Sequence, residues 1–252
     1  MARVFIDSFI TDKSILLHGK IGVNHVDGNS EEGNDNHFQP GGLFDLNNGS
    51  QQTRLFAEAF HRHVKVPLAA DFSLLDAGCA LGDALPVWRK YYPHARLHGC
   101  DFSAVAIRRC QEVYGDVASF FRASFKDISA YYDVIYCSNV LEHFSDYLRI
   151  AEILLHHCSI LYVLVPYMEL RNGKPLSPES GYYHKTTFHP SSFDALNLSG
   201  DRIISMRVIR VSGAWSPTAL GELRWFVRRH LLRRPGGPPR QALFEIKWVQ
   251  RG

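Results

Sequence analysis

The chain has 252 residues, 46% of them hydrophobic and 21% charged. These proportions are typical of soluble globular domains and exclude disordered, collagenous and coiled-coil chains. The longest apolar stretch, 160–168, is far shorter than the roughly 20 residues that a membrane-spanning helix needs. The N-terminus has no signal-peptide pattern, and five scattered cysteines without a C-x-x-C pair predict reduced thiols. We therefore expect a cytoplasmic protein without a membrane span.

The positive charge of the chain is local. The net charge is +3, yet residues 202–240 hold nine arginines and a single acid, Glu222, so the rest of the chain is slightly acidic. We interpret 212–240 as a basic insertion, in which 220–234 has the apolar spacing of a helix with a solvated arginine face. Contact with a membrane surface, a polyanion or a phosphorylated acceptor stays open, and nucleic acid is not the expected partner.

Residues 1–50 are predicted to form an N-terminal arm or lid. Positions 27–50 are rich in Gly, Asn and acids and contain no Lys or Arg, which is typical of a loop or flexible arm. The composition does not decide between a disordered arm and a lid that folds over the active site.

From residue 51 onward, strand and helix patterns alternate. Helical spacing appears at 51–65, 83–92, 103–114 and 145–157, and Asp83, Ser103 and Ser145 occupy positions typical of helix N-caps. Short apolar runs at 73–78, 95–100, 118–123, 132–137 and 159–165 predict strands. This alternation predicts one doubly wound α/β domain over 51–252, with a mostly parallel sheet. The final patterns, 202–211 and 242–251, predict two strands that can pair antiparallel at a sheet edge.

A turn rich in small residues follows the first predicted strand. A dinucleotide fingerprint needs glycine at three positions, which here are Gly78, Ala80 and Asp83, so two of the three fail. Asp101 follows the second strand, 19 residues after Gly82, where a carboxylate can accept hydrogen bonds from both hydroxyls of a ribose. The pattern predicts a nucleoside ligand without a pyrophosphate.

Five segments together resemble the class I S-adenosylmethionine-dependent methyltransferases. They are LLDAGCALGD (74–83), LHGCDFS (97–103), FFRASF (120–125), YYDVIYCSNVLEHF (131–144) and LYVLVPY (161–167). The resemblance implies a Rossmann-like fold with a seven-stranded sheet, an antiparallel terminal strand and S-adenosylmethionine as methyl donor. It implies that the donor contacts Asp76, Gly78, Ala80, Gly82, Asp101, Phe102, Ser124, Phe125 and Asn139.

Two of these positions depart from the family pattern. Ala80 replaces the usual middle glycine, which a negative φ would tolerate, although its methyl group narrows the cofactor channel. Ser124 replaces a common aspartate, and its hydroxyl can accept the adenine amino hydrogen bond more weakly. We expect Phe102 and Phe125 to flank the adenine and to supply stacking area in its place.

Glu142, His143 and His184 are the predicted catalytic residues. Methyl transfer to oxygen requires that the hydroxyl lose its proton, and His is the usual proton carrier near neutral pH. Glu142 and His143 follow the fourth strand and His184 lies in the long connection after the fifth, so both segments open at the same sheet edge. The alternative is that Glu142 and His143 only cap and orient the following helix.

The same residues resemble a cation site of ubiquinone-pathway O-methyltransferases and small-RNA 2′-O-methyltransferases. In those families two acids, a His and a later His hold a divalent cation near the acceptor hydroxyl. The first acid would fall at Asn139 here, and losing one carboxylate weakens a site for a hard cation. We therefore assign no metal ligands, and a divalent cation remains an open alternative.

We predict O-methylation of a small molecule such as a sugar or a phosphorylated sugar. Residues 167–190 are the expected acceptor-side loop, because they leave the carboxyl end of the fifth strand and carry several tyrosines. Two rivals remain: an RNA 2′-O-methyltransferase, and a cofactor- or partner-binding module without catalysis. Departures from the family pattern at Ala80, Ser124 and Asn139 suggest the second rival.

Overall fold

A seven-stranded mixed sheet forms the centre of the computed structural model, which describes residues 31–64, 71–171, 173–178, 183–212, 214 and 240–249. The sheet order is β3-β2-β1-β4-β5-β9-β8. Its strands are β1 (Ser73–Ala77), β2 (Arg96–Asp101), β3 (Ser119–Arg122), β4 (Tyr132–Ser138), β5 (Cys158–Pro166), β8 (Arg202–Arg210) and β9 (Arg240–Trp248). A separate short hairpin joins β6 (Leu170–Arg171) to β7 (Lys174–Pro175).

The first five strands are parallel, and the terminal strand β9 is antiparallel to both of its neighbours. The predicted α/β sheet with an antiparallel terminal strand is therefore confirmed, as is the antiparallel pairing of the last two strand patterns. β9 lies between β5 and β8, so it is an internal strand, and β8 forms the sheet edge. In such a sheet the carboxyl ends of the parallel strands share one edge.

Helices cover both faces of the sheet. They are α1 (Glu31–Phe38), α2 (Leu43–Leu46), α3 (Gly49–His63), α4 (Leu85–Tyr91), α5 (Ala104–Tyr114) and α6 (Tyr147–Leu155). One apolar cluster packs α3, α4 and α5 against one face, and a second packs α6 against the other. All five cysteines are buried and free, as predicted.

One of the three predicted helix caps is present. The Ser103 hydroxyl accepts the Ala106 N–H at the start of α5. Asp83 is not a cap, because its carboxylate accepts hydrogen bonds from Arg54 and from the Tyr114 hydroxyl, each at 2.9 Å. Ser145 is not one either, since α6 begins after Asp146.

The described part of the arm contains the helices α1 and α2 and the start of α3, so the expectation of a loop over 27–50 is wrong for these residues, whereas 39–42 and 47–48 are turns. Phe38, at the end of α1, packs against Leu81 and Val105 in a small apolar cluster. This tertiary contact gives the polar segment an apolar anchor that its composition does not reveal. Residues 1–30 lie outside the described part of the chain.

Two further sequence features bear on the surface. Among the described residues, none of the helices is long and apolar enough to cross a membrane. Most of the basic insertion 212–240, including the helical pattern 220–234, falls outside the described residues.

Candidate functional site

A cavity of about 1570 Å³ opens at the carboxyl ends of the parallel strands. Its walls include the segments that follow the first five strands and part of the arm. These segments are 78–80, 101–102, 123–125, 138–140, 142–144 and 166–170, with 46–49 from the arm. The topology therefore brings the predicted donor residues and the predicted catalytic residues to one cavity. The exception is Gly82, which does not line the cavity.

The turn after β1 has left-handed backbone at three positions. Gly78 and Gly82 have φ of 82° and 75°, and a Cβ at these positions would lie 2.6 Å from Val140 and 2.9 Å from Phe120. Glycine is therefore required at both positions. Ala80 has φ of 49°, so its backbone does not have the negative φ that would tolerate an alanine here, and it carries the cost of a left-handed alanine.

The Asp101 carboxylate is buried at the carboxyl end of β2 with 6% of its surface exposed. It accepts the Ala80 N–H at 3.1 Å and the Ser103 N–H at 2.9 Å. Burial raises its pKa to about 6, although these hydrogen bonds act in the opposite direction. Asp101 therefore links the turn after β1 to the start of α5 at the cavity wall.

Asp76, the penultimate residue of β1, lies near this carboxylate and lines the cavity. Burial and the charge of Asp101 raise the pKa of Asp76 to about 8. Two close carboxyl groups without a cation between them favour the protonated form of one. A cationic group placed here by a ligand would favour the ionised form instead.

The residues predicted to contact the adenine follow β2 and β3. Phe102, Ser124 and Phe125 all line the cavity. The Ser124 hydroxyl donates to the Asp127 carboxylate at 2.6 Å, and the same carboxylate accepts the Ser124 N–H at 3.2 Å. Ser124 thus begins a short 3-10 helix, and because its hydroxyl proton is donated to Asp127, its lone pairs are what it can offer to an adenine amino group.

Asn139 follows β4 with φ of 52°, a left-handed conformation that asparagine tolerates better than most residues. Its N–H donates to the Leu164 carbonyl at 2.7 Å, and its side-chain amide donates to the Ser138 hydroxyl at 3.0 Å. The backbone thereby turns out of the sheet directly before Glu142 and His143.

Glu142, His143 and His184 come together at this edge of the cavity. One nitrogen or oxygen atom from each lies within 4.8 Å of the other two. The two imidazole rings meet edge to face with centroids 4.9 Å apart. The backbone fixes this contact, because the Lys185 N–H donates to the Glu142 carbonyl at 2.6 Å.

Burial shapes the charge of all three groups. Burial raises the pKa of Glu142 to about 7, and the charge of His184 only partly offsets this. Burial and the neighbouring His184 lower the pKa of His143 to about 3, so this imidazole is neutral at physiological pH. Burial also lowers the pKa of His184, but the carboxylates of Glu169 and Glu142 outweigh it and the net pKa is raised.

The three side chains fit a divalent cation in part. Glu142 Oε2 is buried and has no hydrogen-bond partner, which is the state of a carboxylate oxygen with room for a ligand. Three protein donors leave positions for water or for an acceptor oxygen. Asn139, where the related families have a carboxylate, instead directs its amide to Ser138.

Two participants were missing from the sequence prediction. Glu169, inside the predicted loop 167–190, places Oε2 2.5 Å from His184 Nδ1. His37, in the arm, lines the same cavity and contributes to the lowered pKa of His143. No spacing links either residue to the histidines, since both contacts depend on how distant segments meet.

Comparisons with known proteins give one domain match and several matches of fold. Residues 75–159 match the family model described as a methyltransferase domain. A search of curated proteins finds no significant match. The structure is similar to the plantazolicin methyltransferase BpumL in complex with SAH, with a TM-score of 0.51 and 20% identity over 82% of this chain and 87% of that chain.

Two other solved structures share the fold. The putative methyltransferase in complex with the Haloferax volcanii Trm112 activator has a TM-score of 0.58 and 15% identity, over 83% of this chain and 97% of that chain. The mitomycin 7-O-methyltransferase MmcR has a TM-score of 0.57 and 14% identity, over 88% and 62%. Residues 75–159 thus carry the pattern of a methyltransferase domain, and the seven-stranded sheet has the fold of these solved methyltransferases.

Proposed function

We propose that the protein transfers a methyl group from S-adenosylmethionine to a hydroxyl oxygen of a small molecule such as a sugar. One observation carries the proposal: two histidines and a buried glutamate face the same cavity as the turn after β1 and Asp101. Groups able to take a proton from an acceptor thus lie beside the site expected for the donor.

The donor is expected to lie along the edge formed by β1 and β2. The Asp101 carboxylate accepts hydrogen bonds from the ribose, and the turn at 78–82 faces the amino-acid part. Asp76 is the nearby acid that would pair with the donor ammonium group. Phe102 and Phe125 contribute apolar area around the adenine.

The acceptor is expected on the side of β4 and β5. His143, Glu142 and His184 line this side, and so do Tyr167, Met168 and Leu170. Aromatic and aliphatic side chains around a few polar groups are typical of sites for small organic ligands. A sugar ring can present its apolar face to Tyr167 and a hydroxyl to the histidines.

When bound, S-adenosylmethionine supplies a methyl group that is already electrophilic, so the protein's main tasks are alignment and proton transfer. The acceptor oxygen forms a bond to carbon while the sulfur–carbon bond breaks. Its proton passes to the neutral imidazole of His143 or to the unprotonated form of His184. Water that the two substrates displace from the cavity cannot compete for the methyl group.

A divalent cation held by Glu142, His143 and His184 is an alternative way to achieve the same step. Bound to the acceptor oxygen, it would lower the pKa of the hydroxyl. Chelation distinguishes the two mechanisms. Loss of activity that Mg²⁺ or Mn²⁺ restores supports the cation, whereas turnover insensitive to chelator supports a histidine base.

Neither rival function has an observation that favours it. Residues 213 and 215–239 lie outside the described part of the chain, and they contain most of the arginines of the segment 202–240. An RNA-binding surface therefore stays a prediction. A non-catalytic module would bind the donor without turnover. The buried, unpartnered Glu142 oxygen favours a catalytic role, because a carboxylate without a partner is costly to retain.

The test uses transfer of labelled methyl groups to a panel of sugars, sugar phosphates, phenols and RNA. We expect wild type to methylate a small hydroxyl compound and His143→Ala or His184→Ala to lose about 10²- to 10⁴-fold in turnover. Donor affinity, measured by calorimetry, should change little. His156→Ala, at an exposed histidine, is the matched control. Full turnover in both active-site variants would contradict the proposal.

A further inference from the structure

Glu169 and His184 form a tight pair that the proposed reaction has not used. Glu169 Oε2 lies 2.5 Å from His184 Nδ1, and both side chains are mostly buried, with 29% and 17% of their surfaces exposed. Glu169 lies three residues after the end of β5, beyond a residue with left-handed backbone, Met168 at φ of 52°.

The backbone around this pair is fixed from both sides. The Met168 N–H donates to the Phe188 carbonyl at 2.9 Å, and the Thr187 hydroxyl donates to the Glu169 carbonyl at 2.7 Å. The Leu176 N–H in turn donates to the Thr187 hydroxyl at 2.6 Å. Two hydrogen bonds thereby join the segments that carry Glu169 and His184, and a third ties Leu176 to the same threonine, so the pair is held in place by the protein itself.

The contact decides which imidazole nitrogen carries the proton. An ionised carboxylate can only accept hydrogen bonds, so Nδ1 must be protonated to donate to Glu169. In the neutral ring the lone pair then lies on Nε2. Because Nδ1 is occupied by Glu169, a ligand in the cavity shared with His143 and Glu142 can bind this ring only through Nε2.

The two nearby carboxylates have different environments. Glu169 is hydrogen-bonded to the ring, whereas Glu142 Oε2 has no hydrogen-bond partner. Glu142 is therefore available to a ligand in the cavity, and Glu169 is engaged behind the ring. This arrangement resembles, in its chemistry, the carboxylates that orient histidines in other catalytic and metal sites.

We propose that Glu169 is a positioning residue that holds His184 as the Nδ1–H tautomer and presents the Nε2 lone pair to the acceptor. The inference rests on the proposed function, because the acceptor hydroxyl is the group that Nε2 would meet. It serves either mechanism, since a proton acceptor and a cation ligand both act through the Nε2 lone pair. In this role Glu169 acts through His184 and not on the reacting atoms.

The first readout needs no acceptor. Nitrogen-15 NMR of SAH-bound protein with labelled histidine, in alkaline solution where imidazole is neutral, reports which ring nitrogen carries the proton. We expect a protonated Nδ1 and an unprotonated Nε2 for His184 in wild type. Glu169→Gln keeps an acceptor oxygen and should keep this tautomer, whereas Glu169→Ala should shift the ring toward the Nε2–H form. The His184→Ala spectrum assigns the signal.

The second readout is turnover with the best acceptor from the panel. Glu169→Ala should lower kcat about 10- to 100-fold, the range found when orienting partners of functional histidines are removed. Glu169→Gln should recover part of this loss. KM for the donor should stay within about twofold in both variants. Glu112→Ala, at an exposed glutamate on α5, is the matched control.

The outcomes separate the inference from the proposed function. An unchanged His184 tautomer in Glu169→Ala overturns the inference, whatever the turnover. A shifted tautomer with wild-type kcat also overturns it, because the orientation would then be irrelevant to transfer. If wild type methylates no hydroxyl compound, the proposed function fails, and the NMR experiment still decides whether Glu169 sets the tautomer.

Discussion

Ala80 adopts a left-handed backbone, with φ of 49°, in the turn that we propose faces the donor. A non-glycine residue in this region costs roughly 1–2 kcal/mol, and the flexibility that glycine adds to the unfolded chain offsets part of the gain from replacing it. We therefore expect Ala80→Gly to raise the free energy of unfolding by up to about 1 kcal/mol, measured by chemical denaturation. Ala104→Gly, at the exposed first residue of α5, should lower it. Equal losses in both variants would show that Ala80 is unstrained.

Asp76 predicts the pH dependence of stability. Burial and the charge of Asp101 raise its pKa to about 8 in the folded protein, compared with about 3.9 for a solvent-exposed aspartate. Between these values the folded protein retains a proton that the unfolded chain releases, so stability should fall as pH rises from about 4 to about 8. Asp76→Asn removes this titration and should flatten the decline by more than about 1 kcal/mol. We would measure the free energy of unfolding by denaturation at several pH values. The same decline with pH in both proteins would contradict this prediction.

Asp101 predicts the strength of donor binding. Replacing it with Ala removes charge-assisted hydrogen bonds to the ribose, so SAH affinity should fall by about 2 kcal/mol or more, measured by calorimetric titration. Asp101→Asn separates this effect from the structural one, because an amide oxygen can still accept one of the two backbone N–H groups. Asp116→Ala, at an exposed aspartate, should bind normally. Unchanged affinity in Asp101→Ala would remove the residue from the donor site.

At the level of single residues, the sequence predicted which residues lie at the candidate site better than it predicted their backbone and side-chain conformations. Asp101 and the glycines could be located because parallel strands place their carboxyl ends at one edge. The sign of φ at Ala80 and the cap formed by Ser124 could not be predicted. They depend on hydrogen bonds that the Ala80 N–H and the Ser124 hydroxyl donate to the carboxylates of Asp101 and Asp127. A short polar side chain can bond to its own backbone neighbours or to a ligand, and sequence does not choose between them.

Two short helices of the arm cover one side of the cavity. Asp35, in α1, accepts a hydrogen bond from the Ser103 hydroxyl at the start of α5. Arg109, in α5, donates to the Phe38 carbonyl at 2.6 Å and lies 3.6 Å from the Asp45 carboxylate. These contacts tie α1 and α2 to α5, the helix that begins after Asp101, and they support the prediction that the arm is a lid.

Arg109→Ala should loosen this arm. The loss of the hydrogen bond and the ion pair should cost about 1 kcal/mol of local stability, which speeds amide hydrogen exchange in residues 31–46 roughly fivefold. Exchange in β4 and β5 should not change. The neighbouring exposed arginine supplies the control variant Arg108→Ala. Identical exchange in the arm of both variants would show that Arg109 does not hold the lid.

At the element scale, periodicity located every major strand and helix of the sheet domain, within a few residues. The arm was the exception, because α1 and α2 are short and polar, and their order depends on contacts made by Phe38 and Arg109. Short helices of this kind are marginal alone and form where tertiary packing supports them. Local composition therefore favoured a loop.

At the scale of the whole molecule, the parallel topology explains how residues distant in sequence share one site. The connections after β4 and β5 leave the same edge, and they bring His143 and His184 to ring contact at 4.9 Å. Their proximity could be predicted from this rule. The role of Glu169 could not, because its side chain reaches His184 only through the bend at Met168 and the hydrogen bonds around Thr187.

A crystal structure of the protein with bound SAH is the decisive test of whether the donor binds beside the predicted catalytic residues, because the sulfur marks the position from which the methyl group leaves. We expect both ribose hydroxyls to hydrogen-bond to Asp101 and the sulfur to face Glu142, His143 and His184, with space for an acceptor oxygen between them. SAH bound away from the turn at 78–82, or with its sulfur directed away from the two histidines, would contradict it.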